Sequence, residues 1–400
     1  MSVITCVEDL RRLAKKRVPK AFYDYVDSGS YSESTYRENS RAFDDLKLQQ
    51  RVAVNVEGRS TASTMIGQPV AMPVAIAPTG LAGMQWPNGE MLGALAAQRF
   101  GVPFTLSTVS ICSIEDVARH TGAPFWFQLY VMRDRGFNAS LIERAKLAGC
   151  SALVVTLDLQ INGQRHKDLK NGMTVPPRLT PGNLLDFASK PGWMLRALRG
   201  AKTFGNLAGY IKGGGDVITI SKWVAQQFDP TLSWDDLAAI RRAWDRKLVF
   251  KGILSVEDAR MAASIGADAI VVSNHGGRQL DGAPSSIEAL PAIVEAVGDQ
   301  VEVWVDGGIR TGQDVMKALA LGAKGTMVGR AFMYALGALG EAGVARMLQI
   351  LQSELDVSMA LTGMRTIGDI GRHTLFQRGH GASPGGSHGT APARAEMATV

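Results

Sequence analysis

Residues 248–252 read LVFKG, 269–274 read AIVVSN, 301–306 read VEVWVD and 325–329 read GTMVG. Each is a short, continuous apolar run, the pattern of a strand buried on both faces. Amphipathic stretches fill the gaps. Ser255–Asp258 and Thr311–Asp314 each place a hydroxyl at a helix N-cap with an acid three residues on. The run from Thr311 then ends at a glycine. Towards the N-terminus the pattern repeats in PVAIAP (73–78), PFTLS (103–107), FWFQLY (125–130) and ALVVTLD (152–158). Eight βα units in succession predict an α/β fold, a (β/α)8 TIM barrel. Periodicity alone leaves a doubly wound open sheet as the alternative.

The 400 residues suit one such barrel. With 46% hydrophobic and 20% charged residues, the chain can bury a large core. Its net charge of +6 admits an anionic partner. Neither zinc-finger spacing nor an RNA-binding signature points to nucleic acid. Three cysteines, Cys6, Cys112 and Cys150, lack the close pairing of a metal cluster or disulfide framework, so no metal is expected. The first residues carry no apolar core followed by a cleavage site, and no run of about 18 apolar residues predicts a membrane span.

Residues 159–247 interrupt the rhythm with a connection much longer than ordinary βα loops. From Pro176 to Gly215 the basic residues Arg178, Lys190, Arg196, Arg199, Lys202 and Lys212 face a single acid, Asp186. Leu184, Leu185, Phe187, Trp193, Met194, Leu195, Leu198 and Phe204 are interleaved. That mixture suits docking at an anionic membrane interface; a solvated basic cover over the barrel mouth is the plainer alternative. The expected layout is a barrel over 1–376, an insertion over about 163–230 and a disordered Gly/Ala/Ser/Pro-rich tail over 377–400.

Reactive groups in such barrels sit at the C-terminal ends of strands. There the chain places Gln128 and Tyr130, Thr156 and Asp158, Lys251, Ser273 and His275, and Asp306. Three of these are i, i+2 pairs, so each pair points to one side of its strand. His275 directly follows a buried run, and histidine is the usual general base near neutral pH. Asp158 is the candidate to orient it. Arg165 and Arg278 stand just past strand ends, and arginine matches a carboxylate with two parallel hydrogen bonds. Asp306-Gly307-Gly308-Ile309-Arg310 and Gly329-Arg330 follow the last two runs, where barrels commonly bind phosphate. The phosphate could belong to substrate or cofactor.

The stretch SNHGGRQLDG (273–282) resembles the active-site signature of the FMN-dependent 2-hydroxy-acid oxidoreductases. The resemblance runs from about residue 5 to 375 and includes FYDYVDSG, MPVAIAPTG, WFQLYV, DGGIRTG and VGRAF. LSTVSICSIEDVA, FQLYVMRDRGF and KGILSVEDAR are most similar to the bacterial respiratory L-lactate dehydrogenases within it, while Trp86-Pro87 reads more like the mandelate enzymes. The resemblance implies FMN as cofactor. It implies oxidation of a small L-2-hydroxy acid, L-lactate to pyruvate first and mandelate or a longer acid second. Quinone would take the electrons, the cytoplasmic membrane face would be the location, and the assembly would be a homotetramer.

It also implies roles. His275 would take the substrate's proton and Asp158 would hold it. Tyr25 and Tyr130 would hydrogen-bond the substrate, and Arg165 and Arg278 would grip its carboxylate. Ser107, Gln128, Thr156, Lys251 and Ser273 would lie around the flavin ring, with the backbone of Ala77-Pro78-Thr79 against it. Asp306 would hold the ribityl chain; Gly307, Gly308, Arg310, Gly329 and Arg330 would hold the phosphate. Gly80 matches the dehydrogenase pattern rather than the oxidase one. A non-oxidative flavin isomerase, a flavin-free barrel for a phosphorylated substrate and a non-catalytic membrane-binding protein are the rival readings. The isomerase would not need two arginines and two tyrosines around one base, a protein that stays colourless with FMN would mark the flavin-free barrel, and the polar set at the mouth argues against the non-catalytic reading.

Overall fold

The computed structural model describes residues 3–174, 178, 180–198, 200, 203–211 and 217–376. The eight apolar runs form β1 Val74–Ile76, β2 Thr105–Ser107, β3 Trp126–Tyr130, β4 Ala152–Thr156, β5 Lys247–Ile253, β6 Ala269–Val272, β7 Glu302–Val305 and β8 Gly325–Val328. All pair in parallel, in the order β1-β8-β7-β6-β5-β4-β3-β2. A parallel bridge between Ile76 and Phe104 brings β1 to β2. The sheet is therefore the closed (β/α)8 barrel and not the open doubly wound alternative, and closure leaves no strand edge.

Alternation between two buried environments explains why the runs are mainly apolar. Ala75, Trp126, Ala152, Val154, Val249, Ala269, Val271, Trp304 and Met327 form one buried cluster inside the barrel. Their neighbours Val74, Ile76, Phe127, Leu153, Val155, Phe250, Ile270, Val303 and Val305 pack outward in the core shared with the helices. Near the N-terminal end, the Trp126 and Trp304 rings stack at 5.2 Å. A hairpin, Ser63–Met65 with Gln68–Val70, adds Met65, Ile66 and Val70 to the interior cluster, and Gln68 accepts the Trp126 indole N–H at 3.0 Å. Continuing the inward face past this apolar plug, the same alternation reaches Gln128, Tyr130, Thr156, Lys251, Ser273, His275 and Asp306. The polar set thus converges at the C-terminal mouth because it extends the interior register.

The helix signals read from the sequence are made as hydrogen bonds. Ser255 accepts from Asp258 N–H ahead of helix Val256–Ser264, and Thr311 accepts from Asp314 N–H ahead of helix Gly312–Ala320. Three helices precede the barrel: Val7–Arg17, Lys20–Val26 and Ser34–Asp45.

The long connection divides into two parts. Helices Pro181–Ala188 and Pro191–Ala197 bury no residue, and Leu185, Leu195 and Leu198 are 75%, 67% and 72% exposed. Their inner side is pinned to the barrel. Phe187 and Trp193 pack with Phe22, and the Trp193 indole donates to the Met84 carbonyl at 3.0 Å. The second part returns to the mouth: Phe204, Asn206, Leu207 and Ile220 are buried, and helix Val217–Gln227 leads to Phe228. Arg199, Lys202 and Lys212, and the expected disordered tail over 377–400, lie outside the described residues.

Candidate active site

Hydrogen bonds link the floor of the mouth along successive strand ends. Ser107 Oγ and Thr108 N–H both donate to Gln128 Oε1, at 3.1 and 3.2 Å, which orients the amide and leaves Nε2 as its free donor. Lys251, buried at 4% exposure, forms an ion pair with Asp306 Oδ2 at 2.7 Å and donates to Ser273 Oγ at 2.9 Å. The sequence identified Lys251 and Asp306 separately; the structure pairs them. Gln128 Nε2, Thr156 Oγ1 and Asp306 Oδ1 are buried and have no hydrogen-bond partner among the described residues. Leaving such atoms unsatisfied costs about 1–3 kcal/mol each, so together they form a template for a polar molecule.

Above the floor, His275 Nδ1 lies 2.9 Å from Asp158 Oδ1. Burial pushes the Asp158 carboxyl upward, but the facing His275 ring and Lys251 outweigh it and hold the group below the usual carboxylate range. An ionised carboxylate only accepts, so Nδ1 is the donor in this contact and Nε2 is the ring nitrogen left to act on a substrate. Two backbone features make the contact. His275 adopts φ +57°, a left-handed conformation costly for a residue with a Cβ. Gly252, at φ +102° in a β-bulge between β5 and β6, makes room for the carboxylate, because a Cβ there would lie 2.6 Å from Asp158 Cγ.

Tyr25, Tyr130, Arg165, His275 and Arg278 line one cavity with Ala77, Pro78, Thr79, Lys251, Asp306, Gly307, Gly308, Arg310, Gly329 and Arg330. Ser107, Gln128, Thr156, Asp158 and Ser273 are not on its wall; hydrogen bonds to His275 and Lys251 place Asp158 and Ser273 directly behind it. Arg278 Nη1 donates to the carbonyls of Tyr25 and Ser28, and its guanidinium lies 4.7 Å from the Tyr25 ring centre. Burial, with Arg165 close by, brings its pKa down to about 10. Arg165 donates through Nε to Asp168 at 2.6 Å. The arginines and Lys251 outnumber the acids at this mouth, which therefore attracts anions. Gly307 and Gly308, at φ +85° and +95°, lie hard against helix Ser34–Asp45; a Cβ on Gly308 would come within 2.0 Å of the Asn39 carbonyl.

The sequence profile of the FMN-dependent dehydrogenases matches residues 14–377. The chain belongs to the FMN-dependent dehydrogenase family. It is 45% identical over 378 residues to an L-lactate dehydrogenase of Caulobacter vibrioides, covering 94% of this chain and 98% of that one. It is 47% identical over 375 residues to an L-lactate dehydrogenase of Azorhizobium caulinodans, covering 93% and 98%. Among solved structures, the monotopic membrane protein (S)-mandelate dehydrogenase superposes with a TM-score of 0.89 at 37% identity, covering 94% of this chain and 100% of that one. A mandelate oxidase with (S)-2-phenylpropionate gives 0.79 at 36% identity, covering 94% and 98%. The chain is thus an FMN-dependent 2-hydroxy-acid dehydrogenase.

The residues present fit FMN. A free amide donor on Gln128 and a free hydroxyl on Thr156 stand unpartnered on the adjacent ends of β3 and β4, suited to the acceptor- and donor-bearing edge of a flavin ring, and a free carboxylate oxygen on Asp306 across the mouth suits the hydroxyls of a ribityl chain. The glycine-and-arginine loops after β7 and β8 suit its phosphate.

Sequence reading missed the apolar wall of the cavity, Val109, Met132, Leu159, Val224 and Phe228. Val224 and Phe228 come from the insertion, where no local pattern separates them from membrane-facing residues. It also missed Asn206, a buried insertion residue that donates to the Ser107 carbonyl and Ser110 Oγ and so clamps the loop after β2. Trp86, read as a hint of an aryl substrate, does not line the cavity. It packs under the insertion, with the Arg196 guanidinium 4.1 Å above its ring and Gly340 against its edge. Its size therefore serves that packing and gives no information about the substrate.

Proposed function

We propose that the chain oxidises L-lactate to pyruvate and passes the electrons to a membrane quinone. The observation that carries this reading is the His275–Asp158 pair standing over one cavity with Arg165, Arg278, Tyr25 and Tyr130. Arg278 and Arg165 bind the carboxylate of the hydroxy acid, and Tyr25 and Tyr130 orient its carboxylate and hydroxyl. His275 Nε2 takes one proton from the substrate, and Asp158 stabilises the resulting imidazolium. Bound FMN supplies the acceptor for the two electrons. Ser107, Gln128, Thr156, Lys251 and Ser273 would hold its ring, with Ala77-Pro78-Thr79 beside it, and Asp306 would take the ribityl chain. Gly307, Gly308, Arg310, Gly329 and Arg330 hold the phosphate. Lys251 would place a positive charge beside the bound flavin ring, which would favour its accepting electrons.

Lactate dehydrogenase relatives at 45–47% identity support the methyl side chain. The apolar wall of Val109, Met132, Leu159, Val224 and Phe228 favours a second reading, a longer or aryl 2-hydroxy acid. The exposed leucines of 181–198, in a chain resembling a monotopic membrane protein, support peripheral membrane attachment; the cytoplasmic face is part of the same proposal. No helix among the described residues is long and apolar enough to cross a membrane. A homotetramer, the expectation from the resemblance, belongs to the same reading and is checked by the mass of the detergent-solubilised protein. The catalytic reading is tested with His275→Ala: the variant retains FMN and loses reduction by L-lactate. Near-native reduction would remove His275 from the role.

A further inference from the structure

Behind the phosphate loops lies a buried carboxylate with an unusual number of donors. Asp27 is 8% exposed and accepts from Tyr334 Oη at 2.6 Å, Tyr36 Oη at 3.0 Å and Tyr23 Oη at 3.1 Å. Arg11 adds Nε at 3.2 Å and Nη2 at 2.9 Å. Burial alone would push this carboxyl upward; Arg11 and the phenols hold it below its ordinary value. One ion pair with Arg11 would neutralise the charge. Three further phenols on a single carboxylate need another explanation.

Two of those tyrosines lie against the arginines at the phosphate loops. The Arg330 guanidinium sits 4.4 Å from the Tyr36 ring centre, and that of Arg310 sits 5.9 Å from the Tyr334 ring centre. Both distances are within the range of cation–π attraction. Arg330 also donates through Nε to the Val26 carbonyl at 2.9 Å and through Nη2 to the Ser28 carbonyl at 2.7 Å, the residues on either side of Asp27. The aromatic platforms and the carbonyl acceptors under these arginines therefore share one anchor. We propose that Asp27 is a positioning residue for the flavin phosphate, fixing Arg310 and Arg330 through the Tyr334 and Tyr36 rings and the carbonyls beside it. This rests on the reading that Arg310 and Arg330 take the FMN phosphate. A guanidinium held in place before the anion arrives loses less freedom on binding, so the anchor contributes to affinity without touching the ligand.

The test compares FMN with riboflavin, which lacks only the phosphate. Full-length protein is stripped of flavin and titrated with each, following quenching of flavin fluorescence. Tyr36→Phe and Tyr334→Phe keep the rings and remove only the anchored hydroxyls; Asp27→Asn weakens the anchor itself. Each variant is expected to weaken FMN binding by about three- to tenfold, with riboflavin affinity changed by less than about twofold. If Asp27→Asn does not fold, the two phenylalanine variants decide. An unchanged FMN-to-riboflavin ratio in them, or an equal loss of both flavins, overturns the proposal. Arg330→Gln and Arg310→Gln separate the two levels. If they collapse the ratio while the tyrosine variants keep it, only the anchor fails. If the arginine variants keep it too, the phosphate assignment fails and the proposal with it.

Discussion

Gly252→Ala perturbs the His275–Asp158 pair without changing either residue. The added Cβ would lie 2.6 Å from Asp158 Cγ, 2.8 Å from its Cβ and 2.9 Å from Oδ2, with φ at +102°. The carboxylate must move out of line with His275 Nδ1, now 2.9 Å away. A charge-assisted hydrogen bond contributes about 1.5–3 kcal/mol. At about 1.36 kcal/mol per decade of rate, its loss from the reaction barrier lowers kcat/KM by about 10- to 150-fold. Backbone strain at a positive φ costs a further 1–2 kcal/mol or so, taken from stability rather than rate. Anaerobic stopped-flow measurement of flavin bleaching by L-lactate reads the first effect, and thermal unfolding reads the second. FMN content is expected to stay stoichiometric. A Gly252→Ala enzyme reduced at more than about half the native rate would refute the claim that this glycine exists to admit the carboxylate.

Further outcomes follow from the same geometry. Asp158→Asn leaves the ring without the charge that stabilises its protonated form, so kcat falls by about 10²–10⁴-fold, and the acid limb of the kcat/KM profile moves to lower pH. Because Asp158 is held below the usual carboxylate range, the pairing is complete above that range and is lost only as pH falls through the lowered value; an acid limb unmoved by the substitution would mean that the Asp158 charge does not act on the ring. Leu185→Asp with Leu195→Asp removes two exposed apolar side chains, each worth about 1.5–3 kcal/mol if fully buried in lipid. The protein should shift from the membrane to the soluble fraction while still being reduced by L-lactate. Trp86→Phe should leave the preference among 2-hydroxy acids unchanged, whereas Met132→Ala or Phe228→Ala should improve kcat/KM for bulkier acids relative to lactate; the opposite pattern would return Trp86 to the substrate.

The barrel was legible because the strands are buried on both faces along most of their length, so runs such as AIVVSN stay apolar until the strand end. The floor was legible for a related reason. Polar residues at the ends of apolar runs stand out, and alternation says where they point. Pairings across the barrel were less accessible. Lys251 and Asp306 are far apart in sequence, and nothing local says that they share an ion pair. Gly252 reads as an ordinary strand-end glycine until Asp158 is seen against it. The insertion misled in part because the same leucines and aromatics serve two ends. Leu185 and Leu195 remain exposed, while Phe204 and Leu207 are buried on the barrel. Composition reports apolarity, not which surface covers it. Tyr23, Tyr36 and Tyr334 carried no signal at all, since only the fold brings them to Asp27.

The most direct test of the account mixes the purified yellow protein, without oxygen, with L-lactate and separately with L-mandelate, and follows the flavin absorption. Rapid bleaching by L-lactate, lost in His275→Ala with FMN retained, is the predicted result; bleaching by mandelate instead would keep the site and change the substrate. A yellow protein that neither acid bleaches, or one that L-lactate bleaches as fast without His275, would contradict the central claim that His275, held by Asp158, starts the oxidation of a small 2-hydroxy acid at this mouth.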